Sequence, residues 1–372
     1  MEFKLNQEQV VMKETARVFA FKALSPVAGQ FDEKNAPYPA GWMDQAGEMG
    51  LMNMLAPPKF GGAGAKTFDA GLAIEELAGG CAGMAVAVVS SLAGVLAVLN
   101  SGAPDKMLER MLSEPYGNNP RSFRATTAGL FQTPFRVQEN GTISGEEAGI
   151  LGIHHVSWYA VLAGEGSGTS CWVLEPGVEG LDAVPMQNTL GIRTAQPGHL
   201  KIKNAEGTRM GTINPDFLLA LVSPLLGSAA VGCARAALND ALKYAHERYQ
   251  GGDNIIKHDI VAHMILSNIA RVDAARSRLW EVMTQNDALI DEETGALIGK
   301  PNVNAALLAR VFAVDAALQA AIDSVQCFGG YGYMHDYPVE KRMRDARSLG
   351  MLFGTNPEIL THINQSTEGN FL

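Results

Sequence analysis

A chain of 372 residues is long enough for two or three core-forming units. Its composition, 47% hydrophobic but only 7% aromatic and 18% charged, suits packed Ala, Leu, Val and Met helices better than an aromatic-rich sandwich. A net charge of −10 argues against nucleic acid as a partner, because neutralising phosphates takes clustered Lys and Arg.

The opening Met1-Glu2-Phe3-Lys4-Leu5 does not pair a basic stretch with an apolar one, and no window offers about 18 uninterrupted apolar residues. The sequence therefore predicts a soluble, cytoplasmic protein without a membrane span. Residues 6–118 read as helical, with Glu8, Lys13, Glu14 and Arg17 between Val10, Met12, Val18 and Phe19. Gly61-Gly62-Ala63-Gly64, after Pro57-Pro58, predicts a turn; it lacks the following Gly-Lys-Ser/Thr of a phosphate loop. The apolar run 70–99 predicts packed helix.

From about 120 to 212 the texture changes to short alternating segments, at 135–137, 160–163, 170–174 and 199–202, punctuated by glycine. This predicts a β unit inserted between helical ones. His154-His155 is the tight histidine pair of the chain and has no carboxylates at metal-ligand spacing, so no metal site is expected. Cys81, Cys171, Cys233 and Cys327 are far apart in sequence and read as buried free thiols. Trp158, Trp172 and Trp280 read as core or interface residues.

Helical spacing returns after Pro215. Ala230, Ala234, Leu238, Ala241 and Tyr244 recur at three- and four-residue steps, and Val311 and Phe312 stand three and four residues after Leu308, with Leu318 further along the same face. Small residues on such stripes permit the close approach of a four-helix bundle. The predicted fold is mostly α with a β insert: an N-terminal helical domain over 1–118, a middle β domain over 119–213 and a C-terminal helical bundle over 214–372.

The C-terminal part carries the most specific pattern. Gln326-Cys327-Phe328-Gly329-Gly330-Tyr331-Gly332-Tyr333 is followed by Pro338-Val339-Glu340, Arg344-Asp345-Ala346-Arg347 and Gly354-Thr355. It resembles the C-terminal signature of the acyl-CoA dehydrogenase family, and the order helix, strand, helix extends that resemblance over nearly the whole chain. Pro-x-x-x-Gly-Gly-x-Gly near 57–64 and Leu190-Gly191-Ile192-Arg193, a turn between strands, match the family too.

The resemblance implies an FAD flavoprotein that removes the α-proton of an acyl-CoA thioester with a carboxylate while a β-hydride passes to the flavin. Electrons would then go to an electron-transfer flavoprotein, and the assembly would be a homotetramer or a heterotetramer with a homologous subunit. Arg248 matches the arginine that meets the FAD diphosphate of a neighbouring subunit, where a planar guanidinium donates in parallel. Gln326, Gly329 and Gly330 match its neighbours on the adenosine side. Thr355 would bond a phosphate or ribose within its own subunit, and Glu358 aligns with a cofactor-side Glu.

Other parts depart from the family pattern. The Phe-Gly and Gln expected after the arginine read Gly251-Gly252 and Asp259. The segment Ala125-Thr126-Thr127-Ala128-Gly129 is the nearest remnant of Leu-Thr-Glu-Pro, and Gly149-Ile150-Leu151 stands for the Trp-Ile-Thr beside the flavin ring. The catalytic base position, immediately before Gly-Thr, is Phe353. The family's second base position, on the helix starting near 216, aligns with Phe217, its Arg neighbour with Leu218.

Asp216, one residue away and turned by about 100°, is the remaining carboxylate candidate, with helix-dipole partner as its structural role. Three readings follow: an active dehydrogenase with a displaced base, a catalytically silent subunit completing the site of an active homologue, or a redox-neutral thioester lyase or desulfinase. Arg344-Asp345 and Arg347 are expected to form an ion-pair network between the last helices.

Overall fold

The computed structural model describes residues 4–36, 38, 40–113, 125–153 and 156–366. The His154-His155 pair and the expected 118/119 junction lie outside the described residues. The chain opens with helices α1 (Gln7–Phe19), α2 (Ser25–Glu33) and α3 (Ala40–Glu48), with a π turn at Ala20–Leu24. Asn6 starts α1 by a capping box: its side chain accepts from Gln9 N–H, and Gln9 returns a bond to Asn6 N–H.

The run 70–99 is not one helix but two, α4 (Thr67–Gly80) and α5 (Ala82–Leu99), broken where Cys81 turns extended at φ −157°. The break follows from packing. A Cβ on Gly80 would sit 2.4 Å from the Ala20 carbonyl, so the chain turns where the π segment crosses it. All 18 residues of α5 are buried, consistent with a helix apolar on every side. Before α4, Gly61 and Gly64 take left-handed φ values in the predicted turn. Helix α6 (Asp105–Ser113) ends the first helical region.

The middle region is one sheet. Its strands are β1 (Ala125–Ala128), β2 (Phe135–Val137), β3 (Ile143–Ile150), β4 (Trp158–Glu165), β5 (Gly168–Leu174), β6 (Leu181–Pro185), β7 (Gly198–Ala205) and β8 (Thr208–Thr212). They run in the order β6-β7-β3-β2-β4-β5-β8, and β1 joins β4 in parallel with Ala125 opposite Trp158. The four segments read as strands from sequence fall on β2, β4, β5 and β7. Residues 190–193 lie in the β6–β7 connection, as expected. The sheet has its own core of Phe135, Tyr159, Val161, Trp172, Leu200 and others, while Trp158 faces the helical core and bonds the Met111 carbonyl.

The last region is built on α7 (Pro215–Glu247), α8 (Asp259–Asp287), α9 (Val303–Phe328), α10 (Val339–Leu349) and α11 (Asn356–Ser366). Gly232 of α7 presses on α4: a Cβ there would meet the Glu75 carbonyl at 2.0 Å. By length and composition, Ala82–Leu99, Pro215–Glu247 and Val303–Tyr333 are each long and apolar enough to cross a membrane, although polar residues such as Ser90-Ser91 interrupt them. In this fold 100%, 94% and 67% of their most apolar windows are buried in protein.

The ion-pair network differs from the expected one. Arg344 reaches Glu340 on its own helix and Asp32 of α2, and Asp345 pairs with Lys341 while accepting Ile192 N–H. It ties α10 to the first helical region and the sheet, because Asp32 and Ile192 are the buried groups that need the charge and the acceptor. All four cysteines are free and buried.

Candidate functional site

Arg248, Gln326, Gly329 and Gly330 line one pocket of about 600 Å³ where the C-terminal ends of α7 and α9 meet. Arg248 is the residue at which α7 stops; its N–H still bonds Tyr244 O, but its backbone has become extended. Its guanidinium lies 5.6 Å from the Tyr331 ring centre and forms no ion pair with another described residue. Tyr244 and Phe328 stack at 4.1 Å with 16° between their planes, and Tyr337 packs edge-on against both, giving the pocket a flat apolar wall.

Gly329 ends α9 at φ 56°, ψ −132°, a conformation that side-chain-bearing residues avoid. A Cβ built on Gly329 or Gly330 meets nothing within 4 Å, so the backbone there is open to a ligand. The negative end of the α9 dipole points at the same place and opposes an anion. Arg248 is thus the group that must supply positive charge. Asp336 also lines the pocket but forms no ion pair with Arg248; an exposed, unpaired guanidinium, an open glycine backbone and a stacked aromatic wall fit the nucleotide end of a dinucleotide.

Thr355 and Glu358 are elsewhere, at the start of α11. Glu358 accepts from Thr355 N–H at 2.8 Å and from its hydroxyl at 2.7 Å, and these bonds hold its carboxyl below the ordinary range. Gln132 adds a longer contact of 3.4 Å. The pair caps the helix in this chain, so any cofactor bond from either must compete with the other. Asp259 stands exposed in the first turn of α8.

Phe353 lies in the turn after α10, at φ 51°. Arg310 of α9, with no exposed surface, donates to the carbonyls of Leu352 at 2.6 Å, Phe353 at 3.0 Å and Gly354 at 2.6 Å. Its Nε has no partner, and burial pushes its pKa down to about 9. The sequence reading missed this clamp. Its one signal is a cation inside the apolar run Leu307-Leu308-Ala309-Arg310-Val311-Phe312. Asp216 sits in the first turn of α7, where Asn214 is the capping side chain, and its carboxylate lies 3.1 Å from His362 Nε2. That places it at a half-exposed helix start, where its charge favours the α7 dipole.

The segments that the family uses around the flavin ring are closed on themselves. Thr126 and Thr127 are buried and donate to Leu151 O at 2.8 Å and Ser90 O at 3.4 Å. Leu130 and Leu151 are buried, and Phe131 packs on Gly354 so closely that a Cβ there would meet its ring at 2.8 Å. Glu147 of β3 accepts Gly129 N–H, and burial pushes its carboxyl up to about 7. The hydroxyls of Thr126 and Thr127 are therefore not left to donate to a ring edge. Among the described residues, Arg248, Gln326, Gly329 and Gly330 fit the nucleotide end of FAD, and the buried threonines of β1 are not free to serve its ring. No group of metal ligands occurs among the described residues.

Comparison with known proteins accounts for both the fold and the signature. Residues 6–114 match the family model "Acyl-CoA dehydrogenase, N-terminal domain", and residues 220–367 match "Acyl-CoA dehydrogenase, C-terminal domain". Cyclohexane-1-carbonyl-CoA dehydrogenase of Geobacter metallireducens is 29% identical over 384 residues, covering 95% of this chain and 96% of that protein. Butyryl-CoA dehydrogenase from Megasphaera elsdenii superposes with a TM-score of 0.86 at 24% identity, over 99% of this chain and 100% of that one. A glutaryl-CoA dehydrogenase from Mycobacterium smegmatis, solved in complex with FADH2, does so at 0.85 and 17% identity, over 99% and 96%. The chain belongs to the acyl-CoA dehydrogenase family.

Proposed function

We propose that this chain is the nucleotide-binding, base-less subunit of an FAD-dependent acyl-CoA dehydrogenase. A homologous subunit would supply the catalytic carboxylate and the ring contacts, and the assembly would oxidise a CoA thioester between its α and β carbons. Electrons would then leave to an electron-transfer flavoprotein. The observation that carries this reading is the division of the site: Arg248, Gln326, Gly329 and Gly330 share one open pocket, whereas Phe353 stands in the base position beside a closed ring half. FAD, when bound, supplies the hydride acceptor.

The work left to this chain is binding. Arg248 would offset the diphosphate charge, the Gly329-Gly330 backbone would approach phosphate closely, and Gln326 would add amide bonds. Removing a positioned base forfeits about 10² to 10⁴ in rate, so the carboxylate has to come from the partner. A homomeric dehydrogenase would need Asp216, whose carboxylate is turned to His362.

The test is the visible spectrum and FAD content of the chain purified alone and with a base-bearing homologue from the same genome, with anaerobic addition of acyl-CoA thioesters. The expected result is a colourless chain alone and a yellow complex bleached by thioester. A yellow homomer bleached by a thioester overturns the proposal.

A further inference from the structure

Cys81, at the break between α4 and α5, has surroundings unlike those of the other cysteines. Cys233 and Cys327 turn their thiols to backbone carbonyls, of Arg342 at 3.5 Å and of Ala241 at 3.7 Å. Burial pushes Cys171 and Cys233 up to about 12 and Cys327 up to about 11, which keeps those three protonated and inert. Around Cys81 Sγ stand three groups able to donate: the Tyr38 hydroxyl at 3.0 Å, the Thr194 hydroxyl at 3.5 Å and Lys341 Nζ at 4.0 Å. Thr194 donates to Tyr38 at 2.9 Å, and Asp345 holds Lys341 at 2.5 Å, so these groups are fixed in place.

The thiol lines a cavity of about 280 Å³ between α2, the α4–α5 break and α10. Lys341, Asp345 and Asp32 line it too. Asp32 is only 1% exposed; its Oδ2 pairs with Arg344 at 2.6 Å, whereas its Oδ1 is buried with no hydrogen-bond partner. An unpaired buried acceptor costs free energy until a donor reaches it. At roughly 30 Å³ per water-sized group, the cavity takes a molecule of a few heavy atoms and excludes a nucleotide or a CoA thioester.

We propose that this cavity is a hydrogen peroxide site and that Cys81 is the thiol it oxidises. Peroxide brings O–H donors to Asp32 Oδ1 and oxygens that can accept from Lys341. Cys81 Sγ attacks one peroxide oxygen, so that the S–O bond forms as the O–O bond breaks. Sulfur loses two electrons and becomes a sulfenic acid. The other oxygen leaves as water with the thiol's proton, and Lys341 donates to it as charge develops there.

The test is peptide-resolved mass spectrometry of the full chain after hydrogen peroxide at neutral pH with dimedone, which traps sulfenic acids. It is run on Cys233→Ala, because Cys233 lines the same cavity and a disulfide to it would consume the product. The expected result is an adduct on Cys81 forming at least tenfold faster than on Cys171 or Cys327. Adding Lys341→Gln should slow it at least tenfold, and unfolding in urea should abolish the preference.

Lys341→Gln leaves Asp345 buried without its ion pair, so the comparison among cysteines within one folded chain decides the matter where that variant does not fold. Adduct spread evenly over the three cysteines, or formed first on Cys171 or Cys327, would overturn the proposal. An unchanged rate in a folded Lys341→Gln chain would remove Lys341 from the site. N-ethylmaleimide reacting with Cys81 in the folded chain as fast as in urea would show an open surface thiol, and the peroxide-sized cavity would be the wrong assignment.

Discussion

Arg310 Nη1 donates to the Phe353 carbonyl at 3.0 Å from a guanidinium with no exposed surface. With the bonds to Leu352 and Gly354, one buried cation holds three successive carbonyls in the turn that presents the base position. Two effects compete. Bonds from a charged donor are worth about 1.5–3 kcal/mol each, while burying a cation without a carboxylate costs several kcal/mol. Because removal also strands the carbonyls, Arg310→Met is expected to destabilise the chain by about 2–4 kcal/mol. Urea unfolding would show a lower midpoint at unchanged slope. A variant as stable as wild type would mean that desolvation cancels the clamp.

Glu147 gives a pH dependence with a definite sign. Burial raises its folded pKa to about 7, above the unfolded carboxylate value, so the folded state holds the proton more tightly between the two. Its contribution is most favourable below the unfolded value, declines as pH rises through about 7, and is level above that. The span is at most about 3.5 kcal/mol, from about 2.5 pH units at about 1.4 kcal/mol each. Glu147→Gln should flatten the fall in stability between about pH 4.5 and 7 relative to wild type. The same fall in the variant would assign it to other groups.

Asp216 lies 3.1 Å from His362, and its side chain is 46% exposed. An exposed pair of this kind is worth under about 1 kcal/mol. Asp216→Asn should leave stability within that range and the thioester-dependent bleaching rate of the assembled enzyme unchanged. A loss of a hundredfold or more would make Asp216 the base.

The helix-strand-helix order was legible because periodicity changes from 3.6 to 2 and back, and because Gly and Pro mark the ends. What periodicity could not show was the break at Cys81, set by contact between Gly80 and Ala20 across 60 residues of chain. Nor could it show that three helices of membrane-like composition are apolar because protein surrounds them. Within the site, Arg248, Gln326, Gly329 and Gly330 were named by resemblance to a family signature, and the fold brings them to one pocket because helix ends and glycines fix backbone position. The closure of Thr126 on Leu151 and the Arg310 clamp depend on side chains meeting from distant elements, which spacing does not encode.

Gly330 separates binding from folding in the nucleotide pocket. A Cβ there meets nothing within 4 Å, and the backbone is not left-handed, so Gly330→Ala should keep the fold and raise stability by up to about 1 kcal/mol by restricting the unfolded chain. The added methyl would occupy the space through which a phosphate approaches the backbone. FAD retained by the assembled enzyme should fall at least tenfold, read by flavin absorbance after gel filtration, with the melting temperature of the isolated chain unchanged or higher. Gly329→Ala should differ, because its φ of 56° strains any side chain and costs stability as well as cofactor. If Gly330→Ala retained full flavin, the cofactor would not run over this backbone, and Arg248 would have to meet it from another side of the pocket.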